Sequence, residues 1–423
     1  MRKLIIILSC LCVLGVLSLQ YMSRHRAKPV AAVQAPVIPE TPAFIATHRP
    51  GILSVGNHHA LFLADDDKVY GWGENEDAKL GRNDIGDINH PLPLQTPAQV
   101  LAIHTGSTAS YLITQDGQLW RRGFADDQNQ ISPSPGKYFA VLSDKRWRKV
   151  EEHWGLSVGI ENSGQLWAWQ DTDFFKGNLN QNGKRELAQI ELKPMSVASQ
   201  WRDFCVAEGR FDAIDMQGNW WRSEPSGKLA FNGNVVHEGN TLPNSLFINL
   251  VRVPTSTKMQ RVYCRDNAKH VIALDEHHKM WGYGRNQYGE LGNGDDDPYQ
   301  QTLPIEANNV EELNQQTWID VAIGTGFTIA IARDGSLWSW GLNTTKALGL
   351  DSEQSHHSKP KLVDKQQVWS AVAAGYDFAI AMNQEGELYV WGNNQHGQLA
   401  DDKLLPQSLL PIKIAGVKNQ KDK

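Results

Sequence analysis

Three pairs of neighbouring histidines, His58-His59, His277-His278 and His356-His357, and two aspartate triplets, Asp65–Asp67 and Asp295–Asp297, are the groups in this chain best equipped to hold a cation. Zinc asks for several imidazole, thiolate or carboxylate ligands converging on one point. Adjacent residues on a strand face opposite ways, so neither strand-borne pair chelates by itself. Calcium asks for alternating oxygen ligands and a distant bidentate glutamate. The stretch Gly292-Asn293-Gly294-Asp295 has neither and reads as a solvated turn. The bare Gly-x-Ser-x-Gly spacing at Gly155–Gly159 does not make a nucleophile elbow, since no helical period follows it, and a phosphate-cradling Gly-Lys-Ser/Thr loop, a zinc-protease helix motif and a dinucleotide fingerprint are missing from the sequence. The expectation is therefore no metal, no cofactor and no catalytic residue. An active site assembled from distant loops, of lyase or hydrolase type, stays open as a further alternative.

The charge balance excludes another class. The first thirty residues hold five Lys/Arg and no acid, which leaves 36 bases against 47 acids in the remainder. That is the wrong sign for a scaffold that neutralises phosphates, so nucleic acid is not an expected partner. The one basic run, Lys145-Arg146-Trp147-Arg148-Lys149, reads as a solvated strand edge. Cys10 and Cys12 lie in an apolar stretch. Cys205 and Cys264 fall at neighbouring register positions, which strand alternation turns to opposite faces, so the expectation is two buried thiols and no disulfide.

Tryptophan is the residue that organises the chain. Aligning on Tyr70, Trp120, Trp167, Trp221, Trp281, Trp338 and Tyr389 gives seven copies spaced 50, 47, 54, 60, 57 and 51 residues apart, about 53 on average. Three residues before this aromatic stands glycine in five copies (Gly117, Gly164, Gly218, Gly335 and Gly386), the mark of a tight hairpin. Two residues after it stands a second aromatic in five, Trp72, Trp169, Tyr283, Trp340 and Trp391. Twenty before it stands Trp147, Trp201, Trp318 or Trp369, and seventeen before it an apolar residue in all seven, with Cys264 in the fifth copy. This register absorbs 13 of the 15 tryptophans, and only Trp154 and Trp220 fall outside it. Packing between units, not light capture or ligand caging, is the reading this favours. Four short strands per unit and a period near fifty predict an all-β, seven-bladed β-propeller over residues 46–415, with a polar tail at 416–423.

The motifs Gly56-Asn57-His58-His59-Ala60-Leu61, Val69-Tyr70-Gly71-Trp72-Gly73-Glu74-Asn75, Trp281-Gly282-Tyr283-Gly284-Arg285-Asn286-Gln287-Tyr288-Gly289-Glu290-Leu291-Gly292 and Trp391-Gly392-Asn393-Asn394-Gln395-His396-Gly397-Gln398-Leu399 resemble the regulator-of-chromosome-condensation repeat family. The resemblance covers about 370 residues and implies the same propeller. It also implies that His59 and His270, at equivalent positions, are structural hydrogen-bonding residues. Blades 2, 3 and 4 depart from the pattern at Arg122, Gln170 and Ser223-Glu224. Members of the family bind partners as diverse as a small GTPase, histones and β-lactamases, and one senses light through tryptophans.

Residues 4–22 carry no charge and follow Arg2 and Lys3, so segment 1–28 is expected to be an uncleaved membrane anchor, with a cleaved signal as the alternative and a faint lipoprotein-type box, Ile7-Leu8-Ser9-Cys10, as a third. Residues 29–45 form a Pro-rich spacer that would hold a domain off a membrane. The insert after the fourth copy, Arg222 to Gln260, is polar and carries the alternating run Leu246 to Val253, which reads as the outer strand of that blade. The functional expectation is a membrane-tethered, extracytoplasmic propeller of a bacterial cell, monomeric, that docks an unknown protein or peptide. The expected contact residues are Trp154, Trp220, Arg222, Phe231, Asn234, His237 and Phe247. Were the domain cytoplasmic, guanine-nucleotide exchange on a small GTPase would be the alternative.

Overall fold

The computed structural model describes residues 51–423 apart from 77–78, 81–85, 98, 108, 124–138, 143, 154–155, 171–192, 195–199, 208–209, 224–249, 266, 297–300, 307–310, 402–405 and 419–423. The strands form seven four-stranded antiparallel sheets, each built from four consecutive strands in chain order. Their inner strands are Leu53–Val55, Val100–Thr105, Trp147–His153, Trp201–Ala207, Met259–Tyr263, Trp318–Gly324 and Trp369–Ala374. Each inner strand packs against the next, and the last packs against the first, so the seven blades close a ring. One helix of five residues, Glu311–Gln315, precedes blade 6. Among the described residues no helix is long and apolar enough to cross a membrane. The apolar segment 4–22 and the spacer lie outside the described residues.

The hairpin glycines behave as the sequence requires: Gly117, Gly164, Gly218, Gly335 and Gly386 all have φ between 75° and 90°. The two copies without glycine put Asp67 (φ 61°) and His278 (φ 59°) into the same left-handed conformation, so the turn geometry is kept where the residue that favours it is not.

The second aromatics are the deepest. Trp72, Trp169, Trp340 and Trp391 are fully buried, as are Trp147, Trp318 and Trp369 from the inner strands. Burying an aromatic ring removes roughly 150–250 Å² from water. Three of the second aromatics also fix neighbouring blades to one another. Trp340 donates its indole N–H to the Glu290 carbonyl of blade 5 at 2.9 Å. Trp391 donates to the Ala347 carbonyl of blade 6 at 2.8 Å. Trp72 donates to the Gln398 carbonyl of blade 7 at 3.0 Å. The loops after the third strands thus serve as sockets: a Cβ on Gly292 or Gly349 would stand 2.8 Å from the indole nitrogen seated there.

No described strand is shared between the first and last blades, so ring closure rests on contacts across the seam. These include the Trp72 bond, the Tyr376 amide donating to the Asn57 carbonyl at 3.0 Å, and His396 beside Asp87 at 3.1 Å.

Two expectations need correction. Cys205 and Cys264 form a disulfide, with their Cα atoms 5.6 Å apart. Strand alternation does turn the two cysteines to opposite faces of their blades, but the ring brings those faces together. One face of every blade looks at the preceding blade and the other at the following one. Side chains on opposite faces of consecutive blades therefore meet. The register of blade 5 also differs. Val262 pairs with Ala273 eleven residues on, whereas the corresponding Val321 of blade 6 pairs with Ala330 nine residues on. The first hairpin of blade 5 is two residues longer, Val262 holds the apolar position assigned to Cys264, and the extra length carries Cys264 and Arg265.

Candidate functional site

Antiparallel blades of four strands give the ring two rims. On one lie the tight turns between second and third strands. On the other lie the first hairpins and the connections to the outer strands. The three longest of those connections follow the third strands of blades 3, 4 and 5, at Leu166–Gln170, Trp220–Ser223 and Met280–Gly284, and so leave from the same rim. Of the expected contact residues, Trp154, Phe231, Asn234, His237 and Phe247 lie outside the described residues. Trp220 is fully buried, at the core position that Val69, Leu119, Leu166, Met280, Leu337 and Leu388 fill in the other blades, and it is not a surface contact residue. Arg222 is half-buried, with its guanidinium 5.3 Å from the Tyr283 ring centre. The strand expected within Leu246–Val253 is present as Leu250–Arg252, the outer strand of blade 4.

The seven inner strands enclose a channel, and a cavity of about 580 Å³ fills the half nearest the tight-turn rim. At one register position the blades contribute Ile52, Ala102, Lys149, Asp203, Arg261, Asp320 and Ala371. Blades 3 to 6 thus carry alternating charge, and blades 7, 1 and 2 are apolar. Lys149 donates to Asp203 at 2.6 Å and lies 3.0 Å from Glu151, while Arg261 stands 4.0 Å from Asp320. Burial works against the Lys149 charge, but Asp203 and Glu151 more than offset it and hold the ammonium above the ordinary lysine range. The carboxylates also tie the ring: Asp203 accepts the Val262 amide at 3.0 Å, Glu151 the Val206 amide at 2.9 Å and Asp320 the Val372 amide at 3.3 Å, each from the following blade. At the other end of the channel Arg265 reaches across from blade 5 to donate to the carbonyls of Val55 (2.9 Å) and Ala374 (2.7 Å), on blades 1 and 7.

The basic run therefore divides residue by residue. Arg148 and Lys149 line the cavity, and Lys145 lies 4.1 Å from the Trp167 ring centre. It is a solvated edge only at Arg146 and Arg148.

The regulator-of-chromosome-condensation repeat profiles match residues 53–113 and 277–422, in blades 1 and 2 and again from blade 5 to blade 7. The chain belongs to this repeat family. Blades 3 and 4, which gave no match, hold the same four strands in the same order. Among curated relatives the chain is 25% identical to the Arabidopsis thaliana ultraviolet-B receptor UVR8 over 87% of this chain and 83% of the receptor. It is 24% identical to the mouse regulator of chromosome condensation, over 74% and 76% respectively. It is also 24% identical to the human E3 ubiquitin-protein ligase HERC2 across 84% of this chain, but spans only 7% of that relative's length. Among solved structures the Saccharomyces cerevisiae protein Prp20p superposes with a TM-score of 0.64 at 15% identity, covering 86% of this chain and 88% of the other, which bears on the fold alone.

Other polar groups of this repeat propeller are structural. His270 binds the Ala268 carbonyl (2.9 Å) and the Thr328 hydroxyl of blade 6 (3.0 Å), the role that the family resemblance implied. Its equivalent His59 is buried with no hydrogen-bond partner among the described residues. Burial lowers His270 to about 4, and burial with the nearby Lys149 and Arg265 charges lowers His104 to about 3. His278 is spent on a turn, His356 lies 3.3 Å from Asp296, and His357 meets the Ser352 hydroxyl at 3.0 Å. Among the described residues no group of three or more His, Cys, Asp or Glu is placed to hold a metal. Sequence reasoning missed Asp212, a fully buried carboxylate that accepts the Tyr283 hydroxyl (2.6 Å) and the Trp220 indole N–H (2.8 Å), and which burial pushes up to about 6. The tryptophan left outside the repeat register was the available signal, since a buried indole needs an acceptor.

Proposed function

We infer that this protein is a membrane-tethered, extracytoplasmic propeller that docks a protein or peptide partner and performs no bond chemistry. The observation that carries the location is the Cys205–Cys264 disulfide, a bond that persists in oxidising compartments and is rare in the cytosol. The uncharged segment 4–22 and the Pro-rich spacer behind it favour the same reading. Binding without chemistry is favoured by what relatives do: the solved structure of Prp20p was reported with its binding to Gsp1p and histones, and another structure holds it bound to Kap60. Long connections on a rigid scaffold are where recognition concentrates, and here the longest three leave one rim from consecutive blades.

Fusing alkaline phosphatase or a cytoplasm-only fluorescent protein after Lys423 tests the location. Phosphatase activity is expected. Fluorescence would overturn export and favour nucleotide exchange on a small GTPase instead. Crosslinking from membranes with the tethered protein, followed by purification, then tests binding. Deleting residues 225–243 should abolish capture of the crosslinked partner, and unchanged capture would remove that part of the insert from the contact surface.

A further inference from the structure

The channel cavity is closed at one end and charged at the other. Arg265 stoppers the rim of long connections by bonding to blades 1 and 7, and the adjacent Cys264 is fastened to blade 4 through its disulfide. Access is therefore from the tight-turn rim, the face opposite to the one assigned to partner docking. At about 580 Å³ the cavity is within the range of small-ligand sites.

Its charge is not balanced internally. The carboxylates lining it, Glu151, Asp203 and Asp320, are all engaged by Lys149, Arg261 or backbone amides. At the entrance the exposed guanidiniums of Arg148 and Arg202 meet only backbone carbonyls. Arg148 donates to those of Trp201 and Arg202, and Arg202 donates to that of Met216 at 3.1 Å. Among the described residues neither lies within ion-pair distance of a carboxylate, and Asp203 attracts Arg148 only from farther off. Four cations face three carboxylates, so the lining carries one excess positive charge in a chain whose net charge is −6. One monoanion would neutralise it, whereas a phosphate dianion would overshoot and face three fixed carboxylates. Guanidiniums pair with carboxylates through two parallel N–H bonds. The opposite wall, Leu53, Ile103 and Val372, is apolar and would cover a hydrocarbon side chain.

We propose that this cavity binds a single carboxylate carried on an apolar stem, as the C-terminal end of an extended peptide presents it, with Arg148 and Arg202 receiving the carboxylate and blades 7, 1 and 2 the terminal apolar side chain. Backbone carboxylate capture is a recurrent mode of peptide recognition.

Fluorescence anisotropy of the full-length protein in detergent, with an N-terminally labelled hexapeptide ending in leucine-valine, tests this. The free-acid peptide should bind, and its C-terminal amide should bind about tenfold or more weakly, the usual loss of charge-assisted hydrogen bonds. The double variant R148A/R202A should weaken the free acid by a similar factor while melting with the wild type, because both side chains are exposed. Equal binding of acid and amide, unchanged binding by the double variant, or no binding of the free acid at 1 mM would each overturn the proposal. Hexanoate competing as tightly as the free-acid peptide would overturn the peptide assignment in favour of a small fatty acid. Because the cavity opens on the other face, R148A/R202A should leave capture of the crosslinked partner intact, so the two readings fail separately.

Discussion

Trp72 and Gln398 are 326 residues apart in sequence and 3.0 Å apart in space, joined by an indole N–H donated to a backbone carbonyl. The same bond recurs at Trp340 and Trp391, but there it joins blades already consecutive in the chain. At Trp72 it joins the two ends of the ring. Trp72→Phe keeps a ring in the socket and removes the donor, leaving a buried carbonyl unpaired at a cost of about 1–3 kcal/mol. Trp340→Phe should cost a similar amount. The variants are expected to differ in where the protein opens: native-state hydrogen exchange should accelerate selectively in blades 1 and 7 for Trp72→Phe. Equal protection patterns would mean that the seam does not depend on this bond.

The Cys205–Cys264 disulfide closes a loop of 59 residues between the inner strands of blades 4 and 5. The chain-entropy relation puts its contribution at about 4 kcal/mol as an upper figure. C205S/C264S, or reduction of the wild type, should lower the unfolding midpoint accordingly. Because Arg265 follows Cys264 directly, loss of the bond should also loosen the stopper, seen as faster amide exchange of residues 264–269. Reduction that leaves the midpoint unmoved would contradict the contribution assigned to the bond.

Blade number and the location of the tight turns were legible because they depend on local demands repeated seven times: a left-handed residue three before an aromatic, and two rings on one strand face. What could not be read was set by the ring. Cys205 and Cys264 look incompatible on isolated strands and meet only because neighbouring blades present opposite faces to each other. Arg265 looks like an ordinary loop cation, and its carbonyl partners on blades 1 and 7 are 210 and 109 residues away. Trp220 looked free because it broke the tryptophan register, yet it obeys a different one, the buried position just before each aromatic. The Lys145–Lys149 run looked uniform, but the strand sends Lys149 into the channel and leaves Arg146 in solvent.

Buried neutral histidines predict acid lability. His104 is lowered to about 3, and His153 and His270 to about 4, with burial the leading cause in each. An unfolded histidine titrates near 6.5. The unfolded chain therefore binds more protons below that pH, and stability should be full above pH 6.5 and fall steadily toward pH 4. Chemical denaturation at pH 7.5, 6 and 5 should show this decline. H270N, which keeps an acceptor and a donor near Thr328 and Ala268, should show a shallower one. An unchanged pH slope in H270N would remove His270 from the account.

Asp212 should act in the opposite direction. It is enclosed between blades 4 and 5, and burial pushes its carboxyl up to about 6 despite the Tyr283 and Trp220 donors and the nearby Arg210 and Arg222 charges. An unfolded aspartate titrates near 3.9. Between these values the folded state holds the proton more tightly than the unfolded one, so this site favours folding at low pH and its contribution is lost as pH rises through 6. Asp212→Asn removes the charge while its oxygen still accepts the Trp220 indole and its amide can donate to the Tyr283 oxygen. The variant should match the wild type near pH 4 and exceed it by about 3 kcal/mol above pH 7, the order set by the distance from 3.9 to about 6 at 1.36 kcal/mol per unit. Were Asp212→Asn instead destabilising at pH 7.5 and neutral at pH 4, the folded carboxyl would titrate below its unfolded value, with Arg210 and Arg222 outweighing burial, and the ionised carboxylate would strengthen the blade 4–blade 5 seam instead of weakening it.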